Sequence, residues 1–480
     1  MMDPLWLLLV GIVIVVGGIL VFKLQAFLAL ILGALAVGLL TSPDMLLSYG
    51  LQSGMNEAAA TALANQTIGR RVATAFGNTC ANIGILIAMA SIIGGCLLKS
   101  GSAERIVRSS LRLFGEKNAP LGFLSSSFTL AIPVFFDTVF YLMIPLGKAM
   151  AMRTQRNYAL YVMAIVAGGV MAHSLVPPTP GPLFVASELG VSIGLMMIGG
   201  IIIGIITVIF GYMYAVWSNR KWPIPLRDTQ ETTLEELAKV AQQEDSELPP
   251  FWLAILPILL PVLLIAGNTA LQSTIGNQPA SEITGWQEGL LNFFTTLGDS
   301  NVALTLAALI AILMLFLKIK ERAVLRKTIL DALSSAGLII LITGAGGAFG
   351  GTLQQTGIGF RIENLAADYQ LAVLPLAFFV TALVRTAQGS ATVAMITAIG
   401  ILGGMATSGT LGFHPLYLAL AIGCGSKLFA WMNDSGFWII CKMSGMTEGE
   451  TIKHFSIQLT IMGIAGLIAI MIAARLFPLV

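Results

Sequence analysis

Charge is what this chain has least of. Only 10% of its 480 residues are Asp, Glu, Lys or Arg, against about 25% in an ordinary soluble domain. The 26 basic and 24 acidic residues leave a formal net charge of +2. That is too small for a nucleic-acid surface, and no basic run is interleaved with aromatics. Cysteine is nearly as scarce: Cys80, Cys96, Cys424 and Cys441 stand singly in apolar surroundings. Neither a disulfide framework nor a zinc site is expected from such spacing. The three histidines are equally scattered. No Gly-x-x-x-x-Gly-Lys-Ser/Thr loop occurs, so ATP-driven pumping has no support. Paired catalytic carboxylates, a metal-ligand cluster and an activated nucleophile are all missing, which argues against an intramembrane enzyme. No cofactor is implied. The N-terminus has no basic stretch before its apolar run at 5–22 and no small-residue cleavage site after it, so this run reads as a retained first span.

What the chain does have is apolar length. Hydrophobic residues make up 56% of it, the mean hydropathy is +0.87, and runs of the roughly 17–25 residues needed to cross a bilayer recur throughout. The expected crossings are 4–22, 26–41, 72–98, 157–172 and 191–217, then 251–272, 301–317, 328–353, 416–431 and 455–477. Two further apolar segments, 119–147 and 371–404, are too short for two passes, which need about 40 residues. Pro or Gly-Ser interrupts each midway. Re-entrant hairpins fit them, provided protein or a wet cavity satisfies the opened backbone.

Loop charge orients these spans. Lys99, Arg105, Arg108, Arg112 and Lys117, then Lys148, Arg153 and Arg156, and later Lys318, Lys320, Arg322, Arg326 and Lys327 mark cytoplasmic loops. The stretches 273–300 and 405–415 contain no Lys or Arg and should face outside. Arg70 and Arg71 fall on the outer side, against the rule. The one hydrophilic stretch, 218–250, reads as a cytoplasmic connector; residues 232–241 within it fit a short amphipathic surface helix with threonine at its cap. It is too short for a sensor's output domain.

The chain is also written twice. Gly94-Gly95-Cys96-Leu97-Leu98-Lys99-Ser100-Gly101 followed by Arg105-Ile106 recurs 256 residues later as Gly350-Gly351-Thr352-Leu353-Gln354-Gln355-Thr356-Gly357 followed by Arg361-Ile362. A spacing of 255 sets Pro178-Thr179-Pro180-Gly181 on Asn433-Asp434-Ser435-Gly436. The loop after the first copy is basic and the loop after the second is not, so the halves should lie upside down relative to one another. Inverted repeats of this kind build secondary transporters. The expected fold is an all-α polytopic membrane protein of two inverted-topology repeats, 1–217 and 251–480. Each has about five crossings and one hairpin, and the linker 218–250 joins them.

Polar groups at membrane depth are costly, so their positions carry information. Asp137 follows Ile132-Pro133-Val134-Phe135-Phe136 in the first hairpin. A carboxylate there must be protonated, paired or wet, which suits it to take up and release a proton. His173 precedes Pro177-Pro178-Thr179-Pro180-Gly181-Pro182, a run that forbids continuous helix and exposes a helix N-terminus suited to an anion. Arg385-Thr386-Ala387-Gln388-Gly389-Ser390-Ala391-Thr392 lies in the second hairpin. Arg385 offers a planar fork to a substrate carboxylate; the alternative pairs it with Asp137 or Asp434 as an internal salt bridge. Ser390 and Thr392 supply hydroxyls for a hydroxylated ligand. Asn433-Asp434-Ser435-Gly436 would be an ordinary turn alone, but its register with the Pro-rich turn marks it as functional. Candidate anion contacts are therefore Arg385, Gln388, Gly389, Ser390, Thr392, Thr179, Gly181, Asn433 and Ser435. Asp137, Asp434 and His173 are the candidate proton carriers, and no metal site is expected.

At Phe135-Phe136-Asp137, His173 to Pro182, Arg385 to Val393 and Asn433-Asp434-Ser435-Gly436-Phe437-Trp438 the chain resembles the gluconate permease (GntP) family of bacterial proton symporters. The resemblance covers nearly the whole length, and the four motifs in this order are specific together. It implies import of gluconate or a similar sugar acid with protons, in a multi-pass protein of the bacterial inner membrane. Two departures fall in these motifs. Thr179 stands where the family typically has His, and Thr138-Val139-Phe140 replaces the usual Val-Gly-Phe. A sodium-coupled carboxylate or amino-acid carrier, using groups around Asn78, Thr79, Ser390 and Asn433, is the rival reading. The sequence leaves homo-oligomerisation open.

Overall fold

The computed structural model describes residues 3–227, 248–276, 285–319, 321–358, 372–406 and 411–479, and among them every regular element is a helix. The first half supplies α1 (Pro4–Leu20), α2 (Ala26–Leu40), α3 (Pro43–Gln52), α4 (Glu57–Ala64), α5 (Ile68–Lys99), α6 (Ser102–Phe114), α7 (Ala119–Leu130), α8 (Phe136–Thr154), α9 (Tyr158–Leu175), α10 (Pro180–Glu188) and α11 (Ile193–Lys221). The second supplies α12 (Phe251–Leu271), α13 (Gly285–Leu297), α14 (Ser300–Ile319), α15 (Arg322–Gln354), α16 (Val373–Gln388), α17 (Ala391–Ala406), α18 (Pro415–Gly425), α19 (Ser435–Ser444), α20 (Glu448–Thr451) and α21 (Ile457–Leu476).

Seven described helices are long and apolar enough to cross a membrane, or eight if the pair α2–α3, bent by 98°, counts as one span. The ten crossings expected from the sequence are too many by this measure. The shortfall is clearest at 416–431, where α18 ends at Gly425 and the chain turns. Residues 158–188 count as one span by length and composition, although Val176–Thr179 interrupt it as the proline run requires. The helices α3 and α4 and the amphipathic α6 stand where the sequence leads one to expect loops. Lys148, expected in a cytoplasmic loop, is instead buried inside α8. Arg71, out of place by the charge rule, is also buried. It donates to the Gly38 carbonyl and to Gln355 Oε1, each at 2.9 Å, so its charge reports internal bonding and not topology. The expected helix at 232–241 and the Arg361-Ile362 end of the second repeat copy lie outside the described residues.

Packing follows a paired scheme. The two longest helices, α5 and α15, run along each other; α2 packs on α15 while α14 packs on α5. In the first half α9 gathers α7, α8 and α11, and in the second α18 gathers α16, α17 and α21. Small residues permit the close approaches. A Cβ on Gly200 of α11 would stand 2.1 Å from the carbonyl oxygen of Leu175, the last residue of α9. Gly200→Ala is accordingly expected to destabilise the protein by about 1–3 kcal/mol, read as a lower Tm in detergent. An unchanged Tm would mean that α9 and α11 part freely. Arg227, in the linker after α11, forms a two-pronged pair with Glu450 of α20, at 2.6 and 2.9 Å, and donates to the Gly445 carbonyl. This carboxylate holds the guanidinium above its usual pKa.

Candidate anion and proton site

Four interrupted helices meet at one place. In the first hairpin α7 stops at Leu130, five residues including Pro133 bridge the gap, and α8 restarts at Phe136 with Asp137 in its first turn. The second hairpin breaks between α16 and α17 at Gly389 and Ser390. Gly389 has φ +88° and a Cβ there would stand 2.1 Å from the Asn433 carbonyl oxygen. Only glycine serves on both counts. In the third interruption α9 ends just after His173; in the fourth, α18 unwinds after Gly425 and α19 restarts at Ser435.

A cavity of about 210 Å³ lies between them. Phe135, Phe136 and Asp137 come from the first hairpin, and Val170 and His173 from α9. The second hairpin contributes Arg385, Gly389, Ser390, Ala391 and Thr392, and the unwound stretch and α19 contribute Lys427, Asp434, Ser435 and Gly436. Phe455 and Leu459 close it apolarly. Arg385 is 4% exposed. Its Nε donates to the Ser426 carbonyl at 3.0 Å, and its two terminal nitrogens reach the Gly389 carbonyl and the Asp434 carboxylate. Asp434 also accepts from the Gly436 N–H at 2.8 Å, capping α19. Of the two partners open to Arg385 in the sequence, the fold selects Asp434. Asp137 approaches the same glycine: a Cβ on Gly436 would stand 3.4 Å from Asp434 Oδ1 and 3.8 Å from Asp137 Oδ1. The imidazole of His173 meets the Phe135 ring edge-on at 5.8 Å, and its buried Nδ1 has no hydrogen-bond partner among the described residues.

The remaining sequence candidates fall just outside. Thr179 spends its hydroxyl on the Val176 carbonyl at 2.7 Å. Gly181 abuts Met395 and the Cα of Thr392 without lining the cavity. Asn433 is exposed, donating to the carbonyls of Thr386 and Ala387 at 2.8 and 3.2 Å, which fastens the unwound stretch to the hairpin tip. The Gln388 side chain lies outside the described residues. Two groups are absent from the sequence candidates. Lys427 is 3% exposed and lines the cavity; a lysine inside an apolar run is the signal that could have found it. Glu188, the last residue of α10, is part-buried away from the cavity, with the Thr79 hydroxyl as its hydrogen-bond partner. No group of His, Cys, Asp or Glu among the described residues could hold a metal ion.

A bundle of apolar helices around a small, charged cavity defines a multi-pass membrane permease. The family description "GntP family permease" matches residues 3–476, and the chain belongs to that family. A gluconate permease of Zymomonas mobilis is 30% identical over 464 residues, covering 96% of this chain and 95% of its own length. One from Pseudomonas aeruginosa is 30% identical over 477 residues, covering 98% of each. The Gnt-II system L-idonate transporter of Escherichia coli K12 is 26% identical over 472 residues, again 98% of each. In fold the chain is similar to the YdaH transporter of Alcanivorax borkumensis (TM-score 0.53, 14% identity, 85% of this chain and 88% of that one). It is also similar to MtrF of Neisseria gonorrhoeae, described as one of a class of antimetabolite efflux pumps (TM-score 0.58, 16% identity, 84% and 83%). The relatives are permeases and not enzymes, and the chain is a multi-pass protein of the bacterial inner membrane.

Proposed function

We propose that this permease imports gluconate or a closely similar sugar acid, a small organic anion, together with protons. The carrying observation is the cavity in which two buried cations, two carboxylates and the hydroxyls of Ser390, Thr392 and Ser435 converge where four helices break. Broken helices at the membrane midplane are where secondary transporters place their sites. The relatives named for gluconate and L-idonate support a hydroxylated monocarboxylate. Asp137 is the proton carrier in this reading, because Asp434 is engaged by Arg385 and by the α19 N-terminus. The paired packing of α5 with α15, and of α9 and α18 with corresponding neighbours, supports two inverted repeats, 1–217 and 251–480, joined by the linker 218–250. Alternating access would be a movement of one bundle against the other around the cavity.

The test is uptake by proteoliposomes. An inward proton gradient should concentrate labelled gluconate at least tenfold, and L-idonate should compete. Absence of uptake under a proton gradient, with uptake restored by Na⁺ at fixed pH, would reject proton coupling in favour of the sodium-coupled rival.

A further inference from the structure

Four charged side chains face the cavity: the cations Arg385 and Lys427, and the carboxylates Asp137 and Asp434. His173 is left out of this count as a neutral imidazole, its Nδ1 buried with no hydrogen-bond partner among the described residues. Cys424, the other titratable group beside Lys427, counts as a neutral buried thiol. The empty site is therefore balanced at zero. Arg385 is already committed to Asp434, Gly389 and Ser426. Lys427 has no ion-pair partner among the described residues, although it is 3% exposed. An uncompensated buried charge is costly, so an anion that enters the cavity beside this ammonium is favoured.

From this we infer that Lys427 takes the carboxylate of the substrate and that the carrier moves one proton with each monoanion, electroneutrally. The inference rests on the sugar-acid reading above. A bound monoanion brings the site to −1 in surroundings with little water to screen it. One proton on Asp137 returns it to zero. In atoms, the proton arrives from water on the outer side, forms the O–H bond of the Asp137 carboxyl, and leaves with the anion on the inner side. Nothing is oxidised or reduced. A dianion would leave −1 after that proton, so sugar diacids are rejected: glucarate should require at least 100-fold higher concentration than gluconate.

The experiment measures proton and gluconate fluxes together in proteoliposomes, with the membrane potential clamped by valinomycin and K⁺. The expected result is one proton per gluconate, with an initial rate changed less than twofold between zero and inside-negative potential. Acceleration by inside-negative potential means more than one proton and overturns the inference; retardation means fewer than one and does the same. Lys427→Met should raise the gluconate KM at least 100-fold, and Lys427→Arg should restore much of it. A Lys427→Met protein of wild-type Tm and KM removes Lys427 from the role. These wild-type flux measurements stand even if the methionine variant fails to fold. If wild type carries no gluconate under any gradient, the sugar-acid reading falls and this inference with it; transport with another stoichiometry overturns the inference alone.

Discussion

Asp137→Asn is expected to abolish concentrative uptake, by 100-fold or more, while gluconate counterflow across equal concentrations continues within about tenfold of wild type. The substituted carboxamide occupies the same space at the start of α8 and can still donate to and accept from the ligand, so the cavity keeps its shape. It can no longer exchange a proton between the two sides. The charge balance adds a second expectation. With Asp137 neutralised, Arg385, Lys427 and Asp434 leave the empty site at +1, and a bound monoanion balances it without a proton. The gluconate KM should then lose its dependence on pH. Net transport should become that of a bare anion, opposed by an inside-negative potential. Uptake still driven by the proton gradient in this variant would transfer the coupling role to His173 or Asp434, the remaining candidates lining the cavity.

Breaking the Arg385–Asp434 pair should have the largest effect on the protein itself. Both side chains are buried, at 4% and 9% exposure, and Arg385 also ties the α16 end to the carbonyls of Ser426 and Gly389. Removing one partner of a buried pair leaves an uncompensated charge and costs about 3–5 kcal/mol. Arg385→Ala should therefore lower the Tm by several degrees and eliminate transport. Arg385→Lys should recover little, because an ammonium lacks the planar fork that serves three acceptors at once. Arg385→Met combined with Asp434→Asn should regain stability by removing both charges, yet remain inactive, since the guanidinium that lines the cavity and ties the α16 end to the Ser426 carbonyl beside Lys427 is gone. An Arg385→Ala protein with wild-type Tm would show that the pair is not what fastens these two segments.

Much of this molecule is legible in one dimension. Bilayer crossing is a matter of length and composition, so α5, α11, α12, α14, α15 and α21 lie where hydropathy puts them. Backbone breaks are written as Pro133, the Pro177–Pro182 run and Gly389, because those residues remove a donor or require an unusual φ. The costly polar residues Asp137, His173, Arg385 and Asp434 stand out against apolar neighbours for the same energetic reason. Reading fails where neighbours in space, not in sequence, set the outcome. Leu416 to Trp431 has the composition of a span, yet α18 stops at Gly425, where a Cβ would stand 2.3 Å from the Phe378 carbonyl.

From the order of residues follow an all-helical membrane permease, the places where its helices break, and the ionisable side chains it carries at depth. Three outcomes come from folding in space: Arg385 turns to Asp434 and not Asp137, Asn433 serves as a fastener, and Lys427 is left facing the cavity. Burial makes a charge expensive wherever it occurs, whereas its partner is chosen by which helix ends converge within hydrogen-bonding reach.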